Sequence, residues 1–266
     1  YYSRQAGDKE DVLRGMFFGG IDMSTKLFKI YEVDSDFMKL NIHRLRHIVT
    51  PSIQYRYQDQ PTVNKSRLEQ LDDVDSLENQ NKVTFGLENK LQTKRGDQDA
   101  DLVTLILSAD YNIERNSTVR KSFQDFKYDL EFKPYSWWEF DSDAEFDTKA
   151  GYFKNLNTDF WVQTGKAYTS LGYRFKRDES SQLTAGFSCP LNPFWKLNIY
   201  ERFEFKTGDL VEQEYRLERD LHCWTMEFII NQREESGVTF FVAFRIKAFP
   251  EIGINAEKTF SSPRSQ

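Results

Sequence analysis

Histidine and cysteine are the residues of this chain that most readily support catalysis or metal binding. The chain has three histidines, His43, His47 and His222, and two cysteines, Cys189 and Cys223. His43 and His47 are four residues apart, which on a β-strand separates their Cα atoms by about 13 Å, so they cannot readily share one metal ion. With one further histidine, few bases remain for a serine or cysteine nucleophile. We therefore expect no catalytic residues, no metal site and no cofactor.

A ladder of carboxylates is the second candidate for chemistry. In SWWEFDSDAEFDT the acidic residues Glu139, Asp141, Asp143, Glu145 and Asp147 alternate with Trp138, Phe140, Ala144 and Phe146. In a dry core so many like charges would be prohibitive. They are tolerable on a hydrated wall, or where divalent cations bridge them. We favour the hydrated wall and predict that it contains Lys127, Asp129, Glu139, Asp141, Asp143, Glu145 and Arg174.

The elements that position these residues are β-strands, because apolar residues recur at every second position. In DLVTLILSADYNI, which begins at Asp101, one parity carries Val103, Leu105, Leu107, Ala109, Tyr111 and Ile113. A two-residue period indicates a strand with one apolar and one polar face. The pattern returns in segments of about ten residues, the length that a transmembrane strand needs. We count about thirteen strands, in a range of about 12–14. The predicted fold is all-β, the wall of an antiparallel transmembrane β-barrel.

Three segments fit the pattern with irregularities. The first strand is predicted from Phe17 to Val33, a segment around Tyr152 to Gln163 is mixed, and VEQEYRLE is a weaker strand. Pro51 lies inside an otherwise regular strand, where it removes a backbone donor. It marks either a bulge or weakened pairing, or a harmless irregularity.

Composition excludes several classes of protein. The chain has 266 residues, of which 39% are hydrophobic, 29% charged and 15% aromatic. No run approaches the roughly 20 apolar residues of a membrane-spanning helix, and the aromatic content argues against disorder. The net charge of −6 disfavours nucleic acid as a partner. The chain starts at Tyr1 without a signal peptide, so we expect a processed form or a fragment.

The connectors predict an orientation. Turns at Pro134–Ser136, Gly165, Pro190–Pro193 and around Asp220 are short, as periplasmic turns usually are. The longest connector, Gln58 to Asn81, would then be extracellular. Because bacterial barrels must close and usually have an even strand number, an odd count predicts part of a larger barrel. The alternative is a count that is wrong by one strand.

Several segments together resemble the lipopolysaccharide-assembly outer-membrane protein family, LptD. They are GMFFGGIDMSTKLFKIYEV, LRHIVTPSIQYRYQDQ, NKVTFGLENKLQ, YRLERDLHCWTMEFIINQ and FRIKAFPEIGI. Their order and spacing resemble the C-terminal portion of that barrel over nearly the whole chain. On this resemblance, residues 1–266 are the C-terminal portion of an outer-membrane barrel domain, and the N-terminal periplasmic domain is absent.

The resemblance implies a location, a cargo and partners. The location is the outer membrane of a Gram-negative bacterium, and the cargo is lipopolysaccharide, which the barrel releases into the outer leaflet. The implied partners are a lipoprotein plug like LptE, a periplasmic lipopolysaccharide bridge and membrane lipid. The family's lateral gate lies where the first and last strands meet. Its C-terminal side would be the last strand, which carries Val238, Phe240, Val242 and Phe244.

Cys223 is a disulfide candidate on the same resemblance. The family has a cysteine pair at this turn, bonded to the periplasmic domain, whereas this chain has His222-Cys223. The parity of Cys223 is opposite to that of Trp224, which predicts a position on the polar face, and a bond would persist in the oxidising periplasm. The alternative is a free thiol. Cys189 has the lipid-side parity, about 14 Å away, and is expected to be a small apolar residue.

Two other functions remain open from the residues alone. A passive porin would share the composition and the alternation. A soluble β-rich binding protein, such as a large sandwich, would share the alternation but would stay monodisperse without detergent.

Overall fold

The structure, a computed structural model, describes residues 2–4, 11–13, 15–63, 79–96, 98–113, 122–233 and 237–248. No helix within these residues is long and apolar enough to cross a membrane. The strands are β1 (Tyr2–Arg4), β2 (Asp11–Leu13), β3 (Phe18–Ser24), β4 (Leu27–Ser35), β5 (Ile42–Gln58), β6 (Gln80–Arg95), β7 (Gln98–Asn112), β8 (Ser122–Tyr135), β9 (Trp138–Asp147), β10 (Tyr152–Thr164), β11 (Ala167–Lys176), β12 (Ser180–Asn192), β13 (Trp195–Glu204), β14 (Asp209–Leu221), β15 (Trp224–Arg233) and β16 (Gly237–Ile246).

The strands form one large antiparallel sheet in which sequence neighbours are spatial neighbours. Fourteen strands, β3 to β16, belong to it, and β1 pairs only with β2. The predicted all-β antiparallel fold is therefore confirmed, with a strand count at the upper end of the expected range. Among the described residues, β16 pairs with β15 alone, and β3 and β4 both pair with β5. The longest predicted connector lies mostly outside the described residues, at 64–78.

The prediction of one continuous strand from Phe17 to Val33 is wrong, because this segment forms two strands, β3 and β4. β3 ends at Ser24, which pairs with Ser52, and β4 begins at Leu27, which pairs with Val49. Thr25 therefore lies opposite Pro51, to whose carbonyl it donates at 3.2 Å. Pro51 has no N–H with which to return the bond, so the ladder is interrupted here.

The register confirms the two-residue period across neighbouring strands. Apolar residues lie opposite apolar residues, as in Leu87 with Leu107 and Leu107 with Tyr128. Polar residues likewise lie opposite polar ones, as in Ser108 with Lys127. We call the face that carries Lys127, Asp143 and Arg174 the polar face, and the face that carries Leu107, Leu171 and Phe240 the apolar face.

Burial is inverted relative to a water-soluble protein. Among the described residues the buried apolar side chains are Ile48, Leu102 and Ala144, while the buried polar ones are Thr93, Asp141, Ser142, Asp159, Glu204, Glu212, Arg216, Glu227 and Asn231. Large apolar side chains are exposed along the strands, including Leu171, Phe187 and Phe240. A sheet that buries charges and exposes aromatic rings is suited to an apolar solvent on its outer side.

Short turns and tryptophans mark one end of the hairpins. Turns of two residues join β8 to β9, β10 to β11, β12 to β13 and β14 to β15. Trp138, Trp195 and Trp224 each begin a strand directly after such a turn. Tryptophans at this level are typical of the interface between membrane and water.

The chain divides into two compact units. The first contains residues 1–132 and 143–154, and the second contains residues 133–142 and 155–266. The first unit holds the paired strands β3 to β7 and the first part of β8. The second holds the hairpins from β11 to β16.

Candidate functional site: the charged polar face

In the first unit, the predicted residue Glu145 lies between two lysines from neighbouring strands. Its carboxylate oxygens lie 3.4 Å from Lys127 Nζ on β8 and 3.4 Å from Lys154 Nζ on β10. Lys154 also donates to Asp125 at 2.6 Å. The structure thus places two of the predicted wall residues, Lys127 and Glu145, in one network of alternating charge.

In the second unit, Arg174 and Glu139 each pair with a residue of opposite charge. Arg174 on β11 lies 2.7 Å from Asp159 on β10, which is 5% exposed. Glu139 on β9 lies 2.8 Å from Lys133. Of the remaining predicted wall residues, Asp141 is buried, Asp143 is half-buried and Asp129 is exposed. Lys127 and Glu145 therefore pair with each other, while Arg174 and Glu139 each pair with a residue outside the predicted set.

The most buried charges of the polar face were missed by the sequence analysis. Glu212 on β14 lies 3.4 Å from Arg202 on β13 and 2.9 Å from Arg233 on β15. It is 2% exposed. It thus bridges both neighbouring strands, as the central carboxylate of an arginine–glutamate–arginine triad.

A second triad is built in the same way one strand further on. Glu227 on β15 lies 3.6 Å from Arg216 on β14 and 3.1 Å from Arg245 on β16. Arg216 also donates to Glu214 at 2.8 Å, and Glu214 accepts a bond from Asn231 at 3.3 Å. For Glu212, Glu214 and Arg216 the sequence signal was the two-residue spacing of charges in VEQEYRLE, a segment that predicts a weaker strand.

Gly172 on β11 leaves room for the ion pair between Arg174 and Asp159 of β10. Gly172 lies opposite both Asp159 and Thr184. A Cβ on Gly172 would lie 2.5 Å from Thr184 Oγ1 and 2.9 Å from Asp159 Oδ1. Glycine is therefore needed here for close approach, since its φ is not in the left-handed region.

The two cysteines lie in different settings, and each has a free thiol. Cys223 is exposed in the two-residue turn between β14 and β15, so the strand parity that was used to predict its face does not apply to it. Cys189 lies on β12 opposite Leu197, which agrees with its predicted apolar parity.

The turn that contains Cys223 also holds a carboxylate with a shifted pKa. Asp220 is the last residue but one of β14, next to the turn and beyond the roughly ten residues of a membrane span. Its carboxylate accepts bonds from Lys247 Nζ and from the backbone N–H of His222. Lys247 and this N–H lower the pKa of Asp220 below its ordinary value.

The predicted gate-side residues form an exposed apolar row on β16. Val238, Phe240, Val242 and Phe244 share the apolar face, and Phe240 is 72% exposed. Phe240 and Val242 pair with Ile230 and Phe228 of β15, which are also exposed.

Comparison with known proteins identifies the family. No curated protein sequence matches the chain. The profile of one protein family, described as LPS transport system D, matches residues 21–201. That range runs from the middle of β3 to the middle of β13, in both units, and accounts for more than half of the chain. Proteins of this family act in lipopolysaccharide transport and assembly at the outer membrane of Gram-negative bacteria, and they are not known as enzymes. The chain therefore belongs to the LptD family.

Proposed function

We propose that this chain is a non-catalytic part of an outer-membrane translocon, in which the polar face lines a hydrated path for lipopolysaccharide and the apolar face contacts membrane lipid. The observation that supports this most directly is the inverted burial. Buried Glu212, Glu227 and Asp159 lie on one face, and exposed Phe187 and Phe240 lie on the other.

The charge pairs suit a glycan more than an acyl chain. Lipopolysaccharide joins a hydrophilic, phosphorylated glycan to acyl chains, and its glycan exchanges hydrogen bonds readily with carboxylates, guanidinium groups and hydroxyls. On the polar face these groups already have partners of opposite charge, as in Arg174 with Asp159 and Lys127 with Glu145. A neutralised polar surface would let a charged glycan slide without being held tightly.

The proposed translocon would have a lipoprotein, a periplasmic bridge and a periplasmic domain as partners. A lipoprotein plug like LptE would lie against the polar face, and a periplasmic bridge would deliver the cargo at the end with short turns. Cys223 is exposed at that end, where it could bond to a periplasmic domain outside residues 1–266. The row Val238, Phe240, Val242 and Phe244 would form the C-terminal side of a lateral gate, and residues 1–266 the C-terminal part of the barrel domain.

Site-specific photo-crosslinking in cells tests this proposal. A photo-reactive residue at Asp143 or Arg174 should form adducts with lipopolysaccharide. The matched control is Leu221, which pairs with Trp224 on the apolar face, lies at the end of β14 next to a short turn and is 38% exposed. It should contact phospholipid and give no lipopolysaccharide adduct.

The adducts at Asp143 and Arg174 should also disappear when the supply of new lipopolysaccharide is stopped. Absence of adducts at both positions in cells that export lipopolysaccharide normally would overturn the proposal. A passive diffusion channel would give that result.

A further inference from the structure

The last hairpin, β15–β16, has one covalently closed end and one open end. Arg233 pairs with Gly237 next to the connection at 234–236, and Trp224 pairs with Ile246 at the other end. A strand that separates from its partner does so first where no covalent turn holds it. In this hairpin, the open end is therefore the place where β16 would peel from β15.

The charges of β16 are concentrated at this open end. From Gly237 to Lys247 the charged residues are Arg245 and Lys247. Arg245 lies 3.1 Å from the buried carboxylate of Glu227, which Arg216 of β14 holds from the other side. The closed end of the hairpin needs no such contact, and the polar-face residue there is Thr239.

Lys247 adds two more contacts just beyond the end of β16. Its Nζ donates to Asp220 Oδ1 at 2.5 Å, and its backbone N–H donates to the carbonyl of Cys223 at 3.0 Å. Asp220 belongs to β14 and Cys223 to the turn between β14 and β15. Lys247 therefore ties the end of β16 to a strand beyond its direct neighbour.

We propose that Arg245 and Lys247 form a clasp that holds the open end of β16 against β14 and β15. The clasp would keep β15 and β16 paired while the other edge of β16 separates from the first strand of the barrel at the lateral gate. The clasp itself is a structural claim, while its role during lateral release rests on the proposed function. In this arrangement β14, β15 and β16 move as one panel. Arg245 and Lys247 are positioning residues that need not touch the cargo.

Side chains on the polar face connect the three strands of the panel. Glu212 with Arg233, Glu214 with Asn231 and Arg216 with Glu227 join β14 to β15. Between β15 and β16, the ion pair of Glu227 with Arg245 has this role. Because Glu227 is 2% exposed, loss of Arg245 removes one of its two counter-charges in a poorly solvated place.

Hydrogen exchange of the protein in lipid nanodiscs tests the clasp without reference to transport. In the double variant R245Q/K247Q we expect the amides of residues 244–247 to exchange at least tenfold faster. The matched control is Glu218→Gln, which removes a charge directly opposite Glu227. Glu218 accepts its bond from Asn198 of β13, so this variant should leave the exchange of β16 unchanged. The single variant K247Q, whose side chain is partly exposed, serves if the double variant does not fold.

A charge swap separates the ion pair from the individual side chains. Asp220→Lys should speed exchange at the end of β16, and adding Lys247→Asp should restore slow exchange. Unchanged exchange in both R245Q/K247Q and K247Q would overturn the clasp. Faster exchange without any lipopolysaccharide adduct at Asp143 or Arg174 in the unmodified protein would keep the clasp and reject the proposed function.

Discussion

Arg174 on β11 donates from a single nitrogen, Nη2, to both carboxylate oxygens of Asp159 on β10, at 2.7 Å each. Arg174 Nη1 also donates to the backbone carbonyls of Thr158 and Tyr173, at 3.2 and 3.0 Å. The guanidinium group of Arg174 thus binds the carboxylate of Asp159 on the neighbouring strand and two backbone carbonyls.

Replacement of Arg174 with Gln should destabilise the protein, because it leaves the buried carboxylate of Asp159 without its counter-charge. Breaking a buried ion pair costs about 3–5 kcal/mol, and the partial exposure of Arg174 should reduce this to about 2 kcal/mol. Asp159→Asn should cost less, since Arg174 reaches solvent. The free energy of unfolding by urea in lipid vesicles measures both. Arg177→Gln is the control, and an equal loss there would refute the assignment.

Gly172 should not tolerate a methyl group. An alanine Cβ there would clash with Thr184 Oγ1 and Asp159 Oδ1, and overpacking of this kind costs about 1–3 kcal/mol. Gly186→Ala should cost less, because the Ser170 hydroxyl that it approaches can rotate away. Adding Thr184→Ala to Gly172→Ala should recover part of the loss. If Gly172→Ala is as stable as the unmodified protein in urea titrations, the close approach of the strands is wrong.

These two predictions show what sequence alone can and cannot supply. The two-residue period was enough to predict the strand in DLVTLILSADYNI and its two faces. The same period in their own segments was enough to predict the polar character of Lys127 and Arg174. It could not predict that Arg174 meets Asp159, because the segment that contains Asp159 was mixed and no local signal sets the register between two strands.

The triads around Glu212 and Glu227 also depend on a register that the sequence does not indicate. A register irregularity between Arg202 and Phe203 sets which residue of β14 lies opposite Arg202. Such an irregularity shifts every later pair by one residue and is invisible in a pattern of alternating polarity. Pro51, by contrast, was visible in the sequence, because its missing N–H has a consequence that does not depend on register: the partner strand breaks at Thr25.

Thr93 should be needed for the irregular start of β5. Its hydroxyl accepts a bond from the backbone N–H of His43 at 2.9 Å and donates to the carbonyl of His43 at 3.1 Å. The register shifts between His43 and Arg46, and Arg44 there has a φ of 53°. Thr93→Val should cost about 1–2 kcal/mol, because it leaves the N–H and the carbonyl of His43 without their partner on β6. Thr93→Ser, which keeps the hydroxyl, should cost less; the reverse order in urea unfolding would contradict this role.

The end of β16 should become less protected in acid. Because the pKa of Asp220 is lowered by Lys247 and by the His222 N–H, its ionised form stabilises the fold at pH values above the ordinary aspartate pKa of about 3.9. That contribution is lost as the pH falls through the lowered pKa. Hydrogen exchange at residues 244–247 should therefore differ between the unmodified protein and Asp220→Asn at pH 5, and the difference should vanish as the pH falls through the lowered pKa of Asp220. A difference that persists in strong acid would exclude the ionised carboxylate as its source.

The assignment of the apolar face to lipid is tested by moving one charge across the sheet. Phe187 and Ser188 are adjacent in the middle of β12, and they lie on opposite faces because strand side chains alternate. An arginine at Phe187 would enter the hydrocarbon region, which costs about 2–4 kcal/mol near the bilayer midplane. An arginine at Ser188 would join the polar face, between Tyr168 and Asn198, where it can reach water or a carboxylate. Urea unfolding in lipid vesicles should therefore show a large loss for Phe187→Arg and a loss below about 1 kcal/mol for Ser188→Arg. Equal losses would mean that the two faces do not differ in their surroundings, and a larger loss for Ser188→Arg would mean that lipid contacts the polar face.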